Sequence, residues 1–347
     1  MQAQTLKFWK YVPTKKPQYA GKFCSKPYEQ IQIDNDGDVM LCGCERHMPY
    51  AVGNIYQDTI SNIWQGESAV MIRESVANGD FTYCDWSCPF LHNLTPTPEV
   101  LPSVGDFPLH VKIDLDMSCN LKCPSCREHV IIEKNNQRIE QQKKVFKTIV
   151  DHALQNPNKK FIISPIASGE IFASHSGLAF LESLQSYPHN NIKLIITSNG
   201  TLLMKNQALL ESINRYIWKI TVSIDAATPE TYAQVRGGNW EELHQGLKLF
   251  QKKLTSINFV VQEKNYHEIE QFAALGLELG TRVFYYKFHN WGHWTPEWWK
   301  ENNVIDRTKN NFQTAIDSLV RVKRIYGDRI GLTGDLENYI TKALTKL

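Results

Sequence analysis

Eight cysteines, all within the first 126 of 347 residues, constrain this chain more than any other feature. They fall in groups: Cys24; Cys42 and Cys44; Cys84 and Cys88; then Cys119, Cys123 and Cys126. A disulfide framework belongs to an oxidising compartment and usually to a small secreted domain. Neither is indicated: Met1 to Lys16 has no continuous apolar h-region, and no stretch approaches the length of a membrane span. A soluble cytoplasmic protein is expected, with thiols that hold a metal or cluster. The balance of 38 Lys and Arg against 36 Asp and Glu leaves a formal charge of +2 with no long run of one sign. That argues against nucleic acid or an anionic membrane as the main partner.

The hydrophobic fraction of 42% supports one sizeable core or a core plus a smaller satellite. Short strand-like pieces fill the first hundred residues. Gln30 to Ile33 alternates, Asn35-Asp36-Gly37-Asp38 reads as a hairpin turn, and Val39 to Leu41 follows. Leu94 to Pro108 carries Pro96, Pro98, Pro102 and Pro108 with Gly105, which sustains neither helix nor central strand, and a domain boundary is placed there. From His110 on, strands alternate with helical segments. The expected strands are Val111 to Leu115, Lys160 to Ile166, Ile192 to Thr197, Trp218 to Ile224, Ile257 to Gln262 and Val283 to Phe288. Helical spacing joins Ile139, Val145, Phe146, Ile149, Val150, Ala153 and Leu154, and again Ile269, Phe272, Ala273 and Leu279. Such a succession specifies parallel strands with crossover helices, as an incomplete barrel or an open doubly wound sheet. Chemistry in barrel enzymes sits on the loops after the strands. A cluster of Trp291, Trp294, Trp298 and Trp299 follows the last strand.

Directly after the first of these strands comes Cys119-Asn-Leu-Lys-Cys123-Pro-Ser-Cys126. A loop this tight aims three thiolates at one face of a cubane, leaving one iron open for another ligand. The triplet alone also admits a structural zinc completed by a fourth ligand such as His129. Further motifs follow in order: Ser168-Gly169-Glu170-Ile171 after the second strand, Thr197-Ser198-Asn199-Gly200 ending the third, Ser223-Ile224-Asp225-Ala226 ending the fourth, then Tyr232 to Gly238, and Val261-Gln262 ending the fifth.

This arrangement resembles the radical S-adenosylmethionine (SAM) superfamily, whose signature is C-x3-C-x2-C after the first strand of a partial (β/α)6 barrel. The resemblance implies an α/β fold in which residues 105–347 form a partial (β/α)6 TIM-type barrel with a C-terminal helical extension. It further implies that Cys119, Cys123 and Cys126 hold a 4Fe-4S cluster whose fourth iron takes the amino and carboxylate groups of SAM. Glu170 would pair with the SAM ammonium, with Gly169 permitting close backbone approach. Ser198, Asn199 and Ser223 would bind ribose or the methionyl group, and equally suit turns and caps. Asp225 is a cofactor-site candidate or a helix cap. Arg236 would hold the SAM carboxylate or make a surface salt bridge, and Gln262 completes the cofactor-binding set. The sequence departs from the family pattern at Ser125, where an aromatic is usual, and at Ser168 and Ile171, where Gly and Pro are usual.

Cys24, Gly37-Asp-Val-Met-Leu-Cys42 and Cys84-Asp-Trp-Ser-Cys88, with Gly53-Asn-Ile55 and Ile63-Trp64-Gln-Gly66 between them, resemble the SPASM/twitch auxiliary-cluster domains of radical SAM enzymes, here placed before the barrel. Residues 1–104 would then be a cysteine-rich cluster-binding domain ending in the Pro-rich linker. Cys24, Cys42, Cys84 and Cys88 would ligate an auxiliary 4Fe-4S cluster, a four-cysteine zinc being the other reading. Cys44 is left as a spare that exchanges with Cys42 or donates hydrogen to a substrate radical.

The implied activity uses one electron from an external reductant to cleave SAM into methionine and a 5'-deoxyadenosyl radical, which takes hydrogen from a substrate carbon. A ribosomally made peptide is the preferred substrate, through epimerisation, crosslinking or tyramine-excising splicing, with a small leader-peptide-binding partner protein. The alternatives are a dehydrogenase or epimerase of a sugar or other small molecule, and a zinc-braced binding protein without catalysis.

Overall fold

The computed structural model describes residues 12–42, 48–86, 88–92, 94–166, 168–290, 294–333 and 335–344. Its contacts group the chain into two units. The first comprises residues 1–117, 133–169 and 175–194, and the second comprises 118–132, 170–174 and 195–347. Cys44 and Trp291 lie outside the described residues.

In the first unit, β1 (Lys22–Phe23) pairs antiparallel with β5 (Thr95–Pro96). A larger set contains β2 (Gln30–Ile33), β3 (Asp38–Leu41), β4 (Ala51–Asn54), β6 (His110–Ile113) and β7 (Phe161–Pro165), together with the first residues of β8 (Ile192–Ser198). The order is β4-β3-β2-β6-β7-β8. The hairpin turn expected at 35–38 forms. The Asp34 carboxylate accepts from the N–H groups of Asp36 and Asp38, both at 2.9 Å, and Gly37 takes φ +84°, a conformation that favours glycine. A β-carbon at Gly37 would also strike the Tyr56 ring at 2.5 Å.

Strand β2 pairs in parallel with β6, Gln30 opposite His110 through Ile33 opposite Ile113. The cysteine-rich segment therefore extends the same sheet as the first strand of the β/α series. Between β5 and β6, the proline-rich segment forms no regular structure. Helix Asn136–Gln155 is capped by Asn135, whose side chain accepts from Arg138 N–H. It buries Ile139, Val145, Phe146, Ile149 and Ala153 of the expected apolar stripe, while Val150 is only half-buried and Leu154, at the edge of that face, is exposed. Gln142 interrupts the stripe and is paired: it donates to Leu115 O at 2.7 Å and accepts from Ser176 Oγ at 2.9 Å.

In the second unit, the rest of β8 is followed by β9 (Ile217–Ser223), β10 (Leu254–Val261), β11 (Arg282–Lys287) and β12 (Ile330–Leu332), adjacent in that order. Strands β9 to β12 are parallel. Helices Pro229–Val235 and Trp240–Leu249 connect β9 to β10, and Ile269–Glu278 connects β10 to β11. The six strands expected from the sequence are β6 to β11, so the fold is the α/β succession of parallel strands and crossover helices. Strand β10 begins earlier than expected because a register shift between Leu254 and Ser256 lets it keep pairing with β9. Strand β12 was not expected; three residues are too few to show a period.

Candidate active site

Within the second unit, the loop from Ser118 to Ile132 carries Cys119, Cys123 and Cys126 as free thiols. Cys119 N–H donates to Ile131 O at 2.7 Å, closing the loop, and Cys126 N–H donates to Cys123 O at 2.8 Å in the turn between them. Cys119 and Cys123 are buried and Cys126 is half-buried. Burial pushes the Cys119 and Cys123 thiols above the ordinary range; Cys119 also feels Cys126, and Cys123 feels both Cys126 and Cys119. Such a group of thiols becomes comfortable as thiolates only beside cationic charge.

The end of β8 holds this loop. Asn199 Nδ2 donates to Asn120 Oδ1 at 2.9 Å and lies 3.8 Å from Cys119 Sγ. Asn199 Oδ1 accepts from the Thr201 N–H at 3.0 Å and hydroxyl at 2.7 Å, while Asn120 Nδ2 donates to Thr201 Oγ1 at 3.0 Å. Asn199 is thus a bracket for the cysteine loop. Asn199→Ala is expected to cost about 1–3 kcal/mol, because it leaves Asn120 and Thr201 without their buried partners. Chemical denaturation of the apoprotein measures this, and an unchanged midpoint would refute the bracket. Gly200, next in the turn, has φ +83° and no room for a β-carbon, which would lie 2.5 Å from Leu243.

Glu170 is fully buried. Its carboxylate accepts from Ser198 Oγ at 3.0 Å, Asn199 N–H at 2.6 Å and Phe172 N–H at 3.3 Å. Burial pushes its pKa up to about 7, and those donors oppose the rise. Ser198 also accepts from Gly200 N–H at 3.0 Å. Ser198, Asn199 and Glu170 therefore form one network in which each is held by the others. Gly169 precedes Glu170 in the chain and is half-buried.

Asp225 sits at the end of β9 with φ +61°, uncommon for a residue other than glycine. It does not cap the helix that follows; Thr228 does, accepting from Thr231 N–H. Asp225 instead accepts from Val260 N–H at 2.7 Å and pairs with Arg236 Nη2 at 2.6 Å. Arg236 is no surface residue: its Nη1 lies 3.7 Å from Cys123 Sγ. Arg127, which is buried, is a second guanidinium beside the trio. Burial works against its charge, yet the Cys126, Cys119 and Cys123 sulfurs hold its pKa above the ordinary value. Nothing marked Arg127 in the sequence except its place directly after Cys126. Ser223, the last residue of β9, is half-buried, and Gln262, just beyond β10, is buried.

Among the described residues, Arg236 Nε, Tyr232 Oη and Gln262 Nε2 are buried without a hydrogen-bond partner. Buried donors of this kind are normally satisfied, and here they stand on the segments after β9 and β10. With three free thiols on one loop, they fit a cluster and a polar ligand bearing carboxylate, amino and hydroxyl groups.

In the first unit, Cys42 follows β3 at φ +79° and its N–H donates to Gln30 O at 3.0 Å. Cys84 and Cys88 stand in successive turns, donating to Phe81 O and Asp85 O. Burial, then Cys88, Cys42 and Cys24, push the Cys84 thiol upward, so three other sulfurs lie close enough to act on Cys84. None of the four is in a disulfide. Lys16 is fully buried nearby, with its ammonium on Thr14 O and Phe81 O, both at 3.1 Å, and over the Trp86 ring at 4.8 Å.

Beyond β11, Trp294 stacks on Trp298 with centroids 4.3 Å apart, and Phe288 meets Trp298 edge-on. The indole N–H groups of Trp294 and Trp299 are buried and have no partner among the described residues.

Comparison with known proteins agrees with this geometry. The profile of the radical SAM superfamily matches residues 117–276, and that of the SPASM iron-sulfur cluster-binding domain matches residues 24–89. The chain therefore carries a radical SAM domain, with a SPASM domain ahead of it. Its cofactors are accordingly SAM and iron-sulfur clusters. It is 28% identical over 211 residues to the antilisterial bacteriocin subtilosin biosynthesis protein AlbA of Bacillus subtilis (strain 168), covering 58% of this chain and 43% of that protein. It is 28% identical over 156 residues to a probable GTP 3',8-cyclase of Methanococcus aeolicus, covering 44% of this chain and 50% of that protein. The chain thus spans about half the length of these curated relatives. Streptococcus suis SuiB bound to S-adenosylmethionine superposes with a TM-score of 0.43 at 19% identity, covering 81% of this chain and 53% of SuiB. No described helix is long and apolar enough to cross a membrane.

Proposed function

We propose that this enzyme modifies a peptide, preferably a ribosomally made precursor, by abstracting hydrogen from one of its carbons. In this reading Cys119, Cys123 and Cys126 hold the 4Fe-4S cluster of the 105–347 domain. Cys24, Cys42, Cys84 and Cys88 hold the auxiliary 4Fe-4S cluster of the 1–104 domain. Gly169, Glu170, Ser198, Asn199, Ser223, Asp225, Arg236 and Gln262 surround SAM, which when reduced supplies a carbon-centred radical. Glu170, Ser198 and Asn199 fix the shape of the wall, while the unsatisfied Arg236 Nε and Gln262 Nε2 supply hydrogen bonds to the bound cofactor. An external one-electron reductant and a small leader-peptide-binding protein belong to the same reading. Cys44 is the spare thiol and hydrogen-donor candidate.

The observation that carries it is the presence of two groups of cysteines, three and four, none in a disulfide, in one chain similar to a bacteriocin biosynthesis protein. In this reading the Trp294 and Trp298 rings, stacked on one another after β11, line the path of the peptide. Anaerobically purified protein is expected to contain about eight irons per chain and to release 5'-deoxyadenosine on addition of a precursor peptide encoded beside its gene. Zinc with little iron or sulfide overturns the reading, and so does cleavage that no such peptide stimulates. The similarity to a probable GTP 3',8-cyclase supports a second reading, a small-molecule substrate, which the same assay separates by which candidate stimulates 5'-deoxyadenosine release.

A further inference from the structure

The Cys123 sulfur receives the Arg236 guanidinium at 3.7 Å, and the Cys123 thiol in turn points at Arg236 O at 3.8 Å. The guanidinium is not free to leave, because its Nη2 is paired with Asp225 at 2.6 Å. Asp225 is anchored in turn. Its Oδ1 accepts from Val260 N–H at 2.7 Å, its backbone carbonyl accepts from Asn265 Nδ2 at 2.9 Å, and its side chain is fully buried. Asp225 keeps a positive φ, a strain that persists only when surrounding contacts overdetermine it. A short, dry chain of charge thus runs from the β9–β10 edge to one of the three sulfurs.

We propose that Arg236, aligned by Asp225, is a positioning residue that sets the charge felt at the Cys123 sulfur and thereby the reduction potential of the cluster this trio holds. The inference rests on the reading that Cys119, Cys123 and Cys126 are cluster ligands. Net charge and hydrogen bonds to sulfur are the levers by which a protein tunes such a group. A cation within 4 Å in a low-dielectric site favours the more reduced, more negative state. The buried carboxylate behind it partly cancels that field. The two residues therefore act with opposite sign, which distinguishes tuning from mere support, since structural damage has no reason to reverse direction between them.

The test is an anaerobic redox titration followed by electron paramagnetic resonance, on wild type, Arg236→Gln, Arg236→Lys and Asp225→Asn holoprotein. Asn tolerates the left-handed backbone and still accepts from Val260 N–H, so Asp225→Asn removes charge with little change of shape. The expected result is a shift to more negative potential in Arg236→Gln, a shift to more positive potential in Asp225→Asn and little change in Arg236→Lys. The auxiliary cluster, bound to cysteines of the first unit, keeps its potential in all three. Potentials unmoved in Arg236→Gln and Asp225→Asn at full iron content, or moved in the same direction, overturn the tuning role. Loss of iron from Arg236→Gln and Arg236→Lys alike also overturns it, since Arg236 is then needed to hold the site together. Failure of the underlying reading looks different: the wild type itself shows no SAM-responsive cluster signal.

Discussion

Cys119→Ala protein, purified without oxygen, is expected to hold about four irons per chain instead of about eight and to release no 5'-deoxyadenosine. The reason lies in how the trio is presented. All three thiols come from one closed loop, so losing one leaves two ligands for a group that needs three protein thiolates and one open corner. The auxiliary set belongs to the other unit and is drawn from separate segments around Cys24, Cys42, Cys84 and Cys88. It should therefore survive, and Cys84→Ala should give the converse: the SAM-responsive signal kept and the second cluster lost. Iron and sulfide analysis with electron paramagnetic resonance before and after SAM checks both. SAM cleavage surviving in Cys119→Ala would refute the ligand assignment. Simultaneous loss of all iron in both variants would refute two independent sites.

Much of this was legible in the sequence because periodicity and spacing are local properties. The strands β6 to β11 carry their own alternation, as in β8, where Ile192, Leu194, Ile196 and Ser198 are buried in turn. The three-cysteine loop and the turn at Asn35–Asp38 are likewise contained within a few residues. What the sequence left open were partnerships between distant segments. Asp225 was readable as a helix cap because Thr228-Pro229-Glu230 follows it; only the fold reveals that Thr228 takes that role and that Asp225 faces Arg236. Ser198 and Asn199 were legible as candidates for cofactor contact, but the bonds of their side chains to Glu170, Asn120 and Thr201 were not. Arg127 carried no motif at all, since a buried arginine next to a cysteine reads like any other arginine. Even the parallel pairing of β2 with β6 joins residues eighty positions apart.

Glu170 carries the second large expectation, and its direction can be worked out. Burial raises its pKa from the ordinary 4.5 to about 7 in the folded chain. Below about pH 4.5 folded and unfolded states both hold the proton. Between there and about pH 7 the unfolded state gives it up first, so stability falls as pH rises through this window and levels off above it. The full swing is roughly 3 kcal/mol at about 1.4 kcal/mol per pKa unit. Glu170→Gln has no such proton, so urea denaturation of the two apoproteins at pH 5 and pH 8 should show wild type losing more stability than the variant by roughly that amount. Ionisation that folding opposes becomes favourable once an ammonium arrives, because a charge-assisted pair in a dry site is strong. SAM affinity should accordingly drop by at least about tenfold in Glu170→Gln, read by equilibrium binding to the anaerobic holoprotein. Equal pH slopes in the two apoproteins would show that Glu170 ionises at its ordinary pH. An undiminished affinity would show that the carboxylate serves only the Ser198–Asn199 turn it already holds.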